Sequence, residues 1–173
     1  MPQVTVTRTY LELSALSQLR PAKLDDDLLR LARVPVPSVP LAQRLYRDVG
    51  EAYHWVDRWK WTAAQWQRWV RRPGYGTWIL TYDGDLAGFF DLHWQEDGAC
   101  EVELFGLVQQ YHGRGMGKHL LTLAAEIAFT IGAARVWLHT CTLDDPAALP
   151  NYLARGFVPV KTEIYETDLG AAS

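Results

Sequence analysis

The sequence predicts an α/β fold of the α+β kind, a mixed and mostly antiparallel central sheet flanked by helices. Three observations carry this expectation. β-forming runs separated by tight-turn dipeptides fill Thr77 to Val108, the pattern of an antiparallel meander. An apolar stripe at helical spacing, Met116, Leu120, Leu123, Ala124, Ile127 and Ile131, follows directly behind a glycine cluster. Beyond it the texture alternates strand, helix and strand to Glu166. With 173 residues, 49% of them hydrophobic, residues 1–173 have the length and the apolar content of one domain.

In chain order, Val4 to Leu13 alternates β-formers with polar residues and predicts the first strand. Gln18 to Pro40, rich in charges and prolines, reads as a loop. Within it Leu24, Leu28, Leu29 and Leu31, around Asp25 to Asp27, predict one or two helical turns whose carboxylates face the N-terminal dipole. Leu41, Leu45, Tyr46 and Val49 share a helix face, with Gly50 as the expected stop. Thr62 is the expected N-cap of a second helix that carries Trp66, Trp69 and Val70 and ends at Arg72-Pro73-Gly74. Thr77–Tyr82 and Leu86–Trp94 flank Asp83-Gly84, a dipeptide suited to a two-residue hairpin, and Glu96-Asp97-Gly98 turns into a third strand, Cys100–Val108. After the long helix Gly132 is the expected C-cap, and Ala134–Thr140 predicts a buried strand. Asp145-Pro146 reads as a cap followed by a first helical residue, although Pro150 predicts a late start or a kink. Gly156 stops that helix and Phe157–Glu166 closes the sheet.

Composition excludes several functions. Seventeen Lys and Arg against twenty Asp and Glu give a net charge of -3, so no basic field favours nucleic acid or an anionic membrane as a partner. Two cysteines, Cys100 and Cys141, make no disulfide framework, and no Cys/His spacing matches a zinc ligand set, so no metal and a cytoplasmic location are expected. No apolar run approaches the roughly 20 residues of a membrane span, and Gln3, Thr5, Thr7 and Arg8 interrupt any signal-peptide core. The eight tryptophans are the compositional outlier: Trp55, Trp59, Trp61, Trp66 and Trp69 fall in one short segment.

Chemistry is concentrated in Leu107-Val108-Gln109-Gln110-Tyr111-His112-Gly113-Arg114-Gly115-Met116-Gly117-Lys118, between a strand and an amphipathic helix. Alternate glycines let successive amides converge on an anion where the helix presents unpaired donors, and Arg114 and Lys118 add positive charge. A phosphate or pyrophosphate bound by main chain is the expected ligand. A P-loop would need Ser or Thr after Lys118, where His119 stands. A dinucleotide fold would need its glycines after an early strand of a parallel series. A glycine turn without a ligand is the remaining alternative, but three glycines and two cations exceed what a turn needs.

This arrangement resembles the GNAT superfamily of acyl-CoA-dependent N-acyltransferases. Its Gln/Arg-x-x-Gly-x-Gly/Ala motif is matched by His112-Gly113-Arg114-Gly115-Met116-Gly117, with His112 at the Gln/Arg position. A second family pattern, Asn-x-x-Ala-x-x-x-Tyr-x-x-x-Gly-Phe, resembles Asp145 to Phe157, with Asp145 in place of Asn. The likeness covers roughly Thr77 to Val160. It implies a GNAT-like sheet of about six to seven strands, the fourth and fifth splayed apart, and a single N-acetyltransferase domain. Its helical, Trp-rich acceptor side would span about 14–75 and its acyl-CoA-binding core about 77–166. It further implies that Leu107 and Val108 meet pantetheine in the gap, that His112, Gly113, Arg114, Gly115, Met116, Gly117 and Lys118 hold the pyrophosphate, and that Asp145 and Asn151 lie on the cofactor side. The co-substrate implied is acetyl-CoA, without a metal.

Acyl transfer needs a base for the amine and an acid for the departing thiolate. The resemblance places Tyr152 as the acid and Glu101 as the base. Glu101 and Glu103, two apart on one strand, share a face, and apolar Phe105 and the tryptophans would raise their proton affinity. A core tyrosine and a solvated glutamate pair are the structural alternatives. His139 and His93 are second-rank candidates. Cys141, without a His/Asp partner pattern, reads as a small buried side chain.

The expected function is therefore N-acetyl transfer from acetyl-CoA to a primary amine of a small molecule or peptide. A catalytically silent acyl-CoA-binding or regulatory module is the alternative, and a phosphate-binding regulatory domain a third. The acceptor is an amine of unstated identity, and a homodimer is compatible with the sequence. Trp55, Trp59 and Trp61, with His139, are placed on the acceptor side, either as an aromatic wall for a flat or cationic acceptor or as rings that fill the core.

Overall fold

The computed structural model, which describes residues 2–168, is organised by one seven-stranded sheet. Its strands are β1 (Gln3–Leu13), β2 (Leu29–Arg33), β3 (Tyr75–Tyr82), β4 (Asp85–Trp94), β5 (Ala99–Leu107), β6 (Arg135–Cys141) and β7 (Val158–Asp168). They lie in the order β2-β3-β4-β5-β6-β1-β7. β5 and β6 form the one parallel pair; the other neighbours are antiparallel. Four helices cover the sheet: α1 (Val39–Gly50), α2 (Ala63–Val70), α3 (Met116–Ile131) and α4 (Ala148–Ala154). None among the described residues is long and apolar enough to cross a membrane.

Consecutive strand residues point to opposite faces, and the two phenylalanines of β4 divide the core accordingly. Phe90 joins Leu92, Val102, Leu120, Leu121, Val136 and Leu138 in the larger cluster, to which α3 contributes its apolar face. Phe89 packs against Leu45 and Val49 of α1 in the smaller one. On β5 the alternation is broken. Val102 and Phe105 pair with Leu92 and Phe90, so Glu103 and Leu104 stand opposite Asp91 alone. This bulge puts Glu103 and Leu104 on one face: Leu104 packs with the smaller cluster, while Val102 and Phe105 belong to the larger. A bulged strand bends, and β5 turns away from β6 at this point.

Several sequence expectations hold. Asp83 and Gly84 both adopt positive φ, 49° and 85°, as the two-residue hairpin requires. Thr62 closes a capping box with Gln65: its hydroxyl accepts from the Gln65 N–H at 3.2 Å, and Gln65 Oε1 accepts from the Thr62 N–H at 2.7 Å.

Three expectations are corrected. Leu24 to Leu31 forms no helical turns. Leu28 donates its N–H to Asp26 Oδ1, making a turn, and Leu29 to Arg33 then pairs with β3, whose free edge outcompetes the marginal nucleus of a short helix. α1 ends at Gly50 as expected, but Gly50 is not the left-handed cap. It is right-handed helical, the chain continues through a 3₁₀ turn at Glu51–Tyr53, and left-handed His54 caps that turn. Asp145 does not cap α4. Its Oδ1 accepts from Ala147 N in a turn, and α4 begins at Ala148, which places Pro150 in the first turn where a missing N–H breaks no helical bond.

Thr62→Ala should lower stability by about 1 kcal/mol, read by chemical denaturation, because it removes one member of the capping box and leaves the Gln65 amide unpaired.

Candidate active site

β5 and β6 pair only at Ala99/Arg135, Cys100/Val136 and Glu101/Trp137. Past Glu101 they part, and a cleft of about 1300 Å³ opens between them. It exceeds the roughly 300–1,000 Å³ of a usual single-ligand pocket and has room for two substrates meeting end to end. Glu101 stands at the apex, α4 and the glycine loop line one flank, and the Tyr53–Lys60 segment lines the other.

Gly113 and Gly115 hold φ of 74° and 79°, a left-handed conformation that side chains rarely adopt, and this curls the loop into the N-terminus of α3. No side chain caps that terminus, so its first amides remain available to an anion. Gly113, Gly115, Gly117 and Lys118 line the cleft, as do Asp145 and Asn151. This cradle fits a pyrophosphate. Two members of the motif differ from expectation. Arg114 turns away, its guanidinium 4.8 Å from the Tyr82 ring centre and 5.5 Å from that of Tyr111, and the Met116 side chain is buried in the core. Both have only main chain to offer.

Val108 is not among the residues that line the cleft; its N–H bonds to Ala87 O and its carbonyl accepts from Tyr111 N. Leu107 does face the gap, with both backbone groups engaged. Its N–H donates to Tyr53 Oη at 3.0 Å, and its carbonyl lies 3.0 Å from His112 Nε2, which is itself 3.1 Å from Tyr53 Oη. Gly106 makes this possible, since a Cβ there would stand 2.6 Å from the Tyr53 ring. His112 thus has a side-chain role that the glycine motif alone does not suggest.

Glu101 and Glu103 share a face, and their environments differ sharply. Arg72 holds both Glu103 oxygens, at 2.8 and 2.6 Å, and His93 Nδ1 stands 3.3 Å away. Glu101 is partly buried and has no guanidinium partner; burial first, and the Glu103 charge second, push it up to about 7. His93, Glu101 and Glu103 gather donor atoms within 4.8 Å of one another, but the Arg72 fork already occupies both oxygens of Glu103 and would compete with a metal ion. His139 Nε2 lies 4.0 Å from Glu101, too far for a direct hydrogen bond, and burial lowers its proton affinity.

Tyr152 is buried between Phe105 and Phe157 and lines the cleft, and burial raises its phenol well above the ordinary value, with the Asp144 charge adding to the effect. Cys141 is only half-buried, not enclosed. Burial and Asp144, 3.5 Å from its Sγ, keep the thiol protonated, which argues against a nucleophile.

On the flank formed by the Tyr53–Lys60 segment, where the acceptor side was expected, Trp55 and Trp59 line the cleft, with Trp59 60% exposed. Trp61 stands behind them, edge-on to Trp66 and Trp69. Trp69, which carries no sequence expectation beyond packing, lines the cleft in its place. Sequence reasoning also missed Tyr53, Arg58, Arg72 and Asp91. Arg58 had one legible signal, a cation set among tryptophans that it shares with Lys60 and Arg68, and Asp91 another, an acid in an apolar strand. Asp91 is fully buried, accepts from Tyr75 and Thr77, and is pushed by burial to about 7.

Residues 42–157 match the Acetyltransferase (GNAT) family. The mycothiol acetyltransferase of Corynebacterium efficiens is 32% identical over 124 residues, covering 67% of this chain and 40% of its own length. An uncharacterized N-acetyltransferase of Escherichia coli is 29% identical over 86 residues, covering 47% of this chain and 52% of its own. The chain therefore spans about half or less of the curated relatives it matches. A GCN5-related N-acetyltransferase from Kribbella flavida superposes with a TM-score of 0.67 over 97% of this chain and 60% of its own, at 20% identity, and shares the fold.

Glu101 and Asp91 both bind protons more tightly folded than unfolded, so their contribution to stability is present at acid pH and is lost as pH rises through about 7. Denaturation of Glu101→Gln and wild type at pH 5 and pH 8 should show the variant gaining on wild type toward pH 8, by on the order of 1–3 kcal/mol. A gain that grows toward pH 5 instead would contradict the burial of an uncompensated carboxyl.

Proposed function

Since the chain belongs to the Acetyltransferase (GNAT) family, we propose that it is an N-acetyltransferase that moves an acetyl group from acetyl-CoA directly to a primary amine of a small molecule or peptide. The observation that supports this most strongly is that one cleft joins the glycine cradle of α3 to Glu101 at the parting of β5 and β6. On this reading the amides from Gly113 to Lys118 bind the pyrophosphate, with Lys118 adding charge. The pantetheine arm lies in the gap and takes over the Leu107 N–H and carbonyl from Tyr53 and His112.

An amine reaches the cleft as an ammonium ion and must lose a proton before it can attack. Glu101 would take that proton, and a carboxyl titrating near 7 is matched to the task at neutral pH. The neighbouring Glu103 charge adds to burial in raising the proton affinity of Glu101, while the charges of Arg72 and Arg58 oppose it. The neutral amine then adds to the thioester carbonyl, the C–S bond breaks, the thiolate leaves with a proton from the Tyr152 phenol, and the excess proton on the new amide nitrogen restores that phenol. Burial keeps that phenol protonated until a sulfur anion appears beside it. Cleft burial also excludes water, which limits hydrolysis of the thioester.

Acetyl-CoA should raise the melting temperature while ATP and NAD do not; the reverse would remove the assignment of the cradle. Tyr152→Phe should lower kcat by about 10²–10⁴ with the Kd for acetyl-CoA within about twofold of wild type, measured by thiol release and calorimetry. Unchanged turnover would exclude Tyr152 as the acid. Should acetyl-CoA bind and no thiol appear with any amine of a broad panel, the chain would be an acyl-CoA-binding module.

A further inference from the structure

Arg58 lines the cleft from the acceptor flank, and nothing in the transfer chemistry uses it. Its guanidinium carbon lies 3.6 Å from the ring centre of Trp69 and 4.6 Å from that of Trp61, with Tyr46 at 5.5 Å and Trp66 at 5.9 Å. Arg72 lies 3.5 Å from the same Trp69 centre, and two guanidiniums so close to one ring must take opposite faces. The stack runs Arg58, Trp69, Arg72, Glu103, and only its Arg72 end has a counter-ion.

Among the described residues no carboxylate lies within salt-bridge reach of Arg58. Of the acids whose charges act on Arg58 or feel it, Glu103 is committed to Arg72 and Asp91 to Tyr75 and Thr77, and Glu101 is the base of the transfer reading. Arg58 Nη1 is buried without an acceptor. So is Trp69 Nε1, which approaches the Tyr75 hydroxyl without hydrogen-bond geometry. Two orphaned donors on neighbouring cleft residues are costly unless an acceptor arrives. A guanidinium whose faces are covered by rings still has its N–H groups in its own plane, and their spacing matches the two oxygens of a carboxylate.

We propose that Arg58 is the specificity-determining residue of the acceptor site and that the amine acceptor carries a carboxylate, which pairs with Arg58 while the body of the molecule lies against Trp55 and Trp59. The acceptor class is then an amino acid, a small peptide with a free C-terminus or an aromatic amino-carboxylate, rather than a polycationic amine. This rests on the acyl-transfer reading of the same cleft.

The test compares matched pairs on the wild-type chain by calorimetric titration: 4-(aminomethyl)benzoate and glycyl-phenylalanine against their carboxamides. The carboxylates should bind about 10- to 100-fold more tightly, and the same preference should appear in KM when transfer is assayed with acetyl-CoA. Arg58→Met should abolish the difference and Arg58→Lys, which keeps charge but loses the fork, should retain part of it, with circular dichroism checking that each variant folds. Equal binding of carboxylates and carboxamides to wild type, no binding of either, or a preference that survives Arg58→Met would overturn the proposal. Acetyl-CoA binding reports the transfer reading separately. Its loss with the carboxylate preference intact would remove the donor and leave Arg58 in place, and intact acetyl-CoA binding without the preference would do the opposite.

Discussion

The parting of β5 from β6 is the constraint on which the rest depends. Parallel strands ordinarily continue pairing, and leaving backbone groups unpaired in a protein interior is costly. Here one extra residue on β5, opposite Asp91, bends the strand after three paired positions. That single irregularity opens the cleft, turns Leu107 into it and leaves Glu101 at its apex. It also places Glu103 and Leu104 on one face, so that one anchors a charge network while the other seals the smaller core.

The charged groups under the cleft form a graded set. Glu103 has a full guanidinium partner, Glu101 has none and Asp91 has only hydroxyl donors. Burial pushes Glu101 and Asp91, neither of which is paired with a guanidinium, up to about 7. The tryptophans take part in this ordering. Trp69 holds Arg72 flat against Glu103 on one face and Arg58 against the cleft on the other, so an aromatic surplus that composition alone cannot explain acts as the spacer between two cations.

Legibility in the sequence followed how local each determinant is. The Asp83-Gly84 hairpin, the Thr62 cap and the Gly113–Gly117 loop are specified by neighbours in the chain, and each stands where the sequence places it. Leu29 and Leu31 of β2 carry a helical spacing locally, but their pairing with β3 is settled about fifty residues away. The bulge at Glu103–Leu104 has no glycine to announce it. Arg72 and Glu103 are too far apart in sequence for any motif to couple them, and Arg114, a cation within an anion-binding loop, turns to Tyr82 and Tyr111 instead because two rings stand close by. Residue types at the site were legible where a motif carried them; their environments came from packing.

The hold of Tyr53 and His112 on Leu107 bears on how donor affinity is distributed. A ligand entering the gap exchanges hydrogen bonds already made for others of the same kind, and such an exchange contributes little net free energy. If acetyl-CoA is the donor, as proposed, recognition of its arm is close to neutral and the weight of binding falls on the nucleotide end at the α3 terminus. A thioester shortened to its pantetheine portion would be a poor ligand even though it carries the whole reacting group.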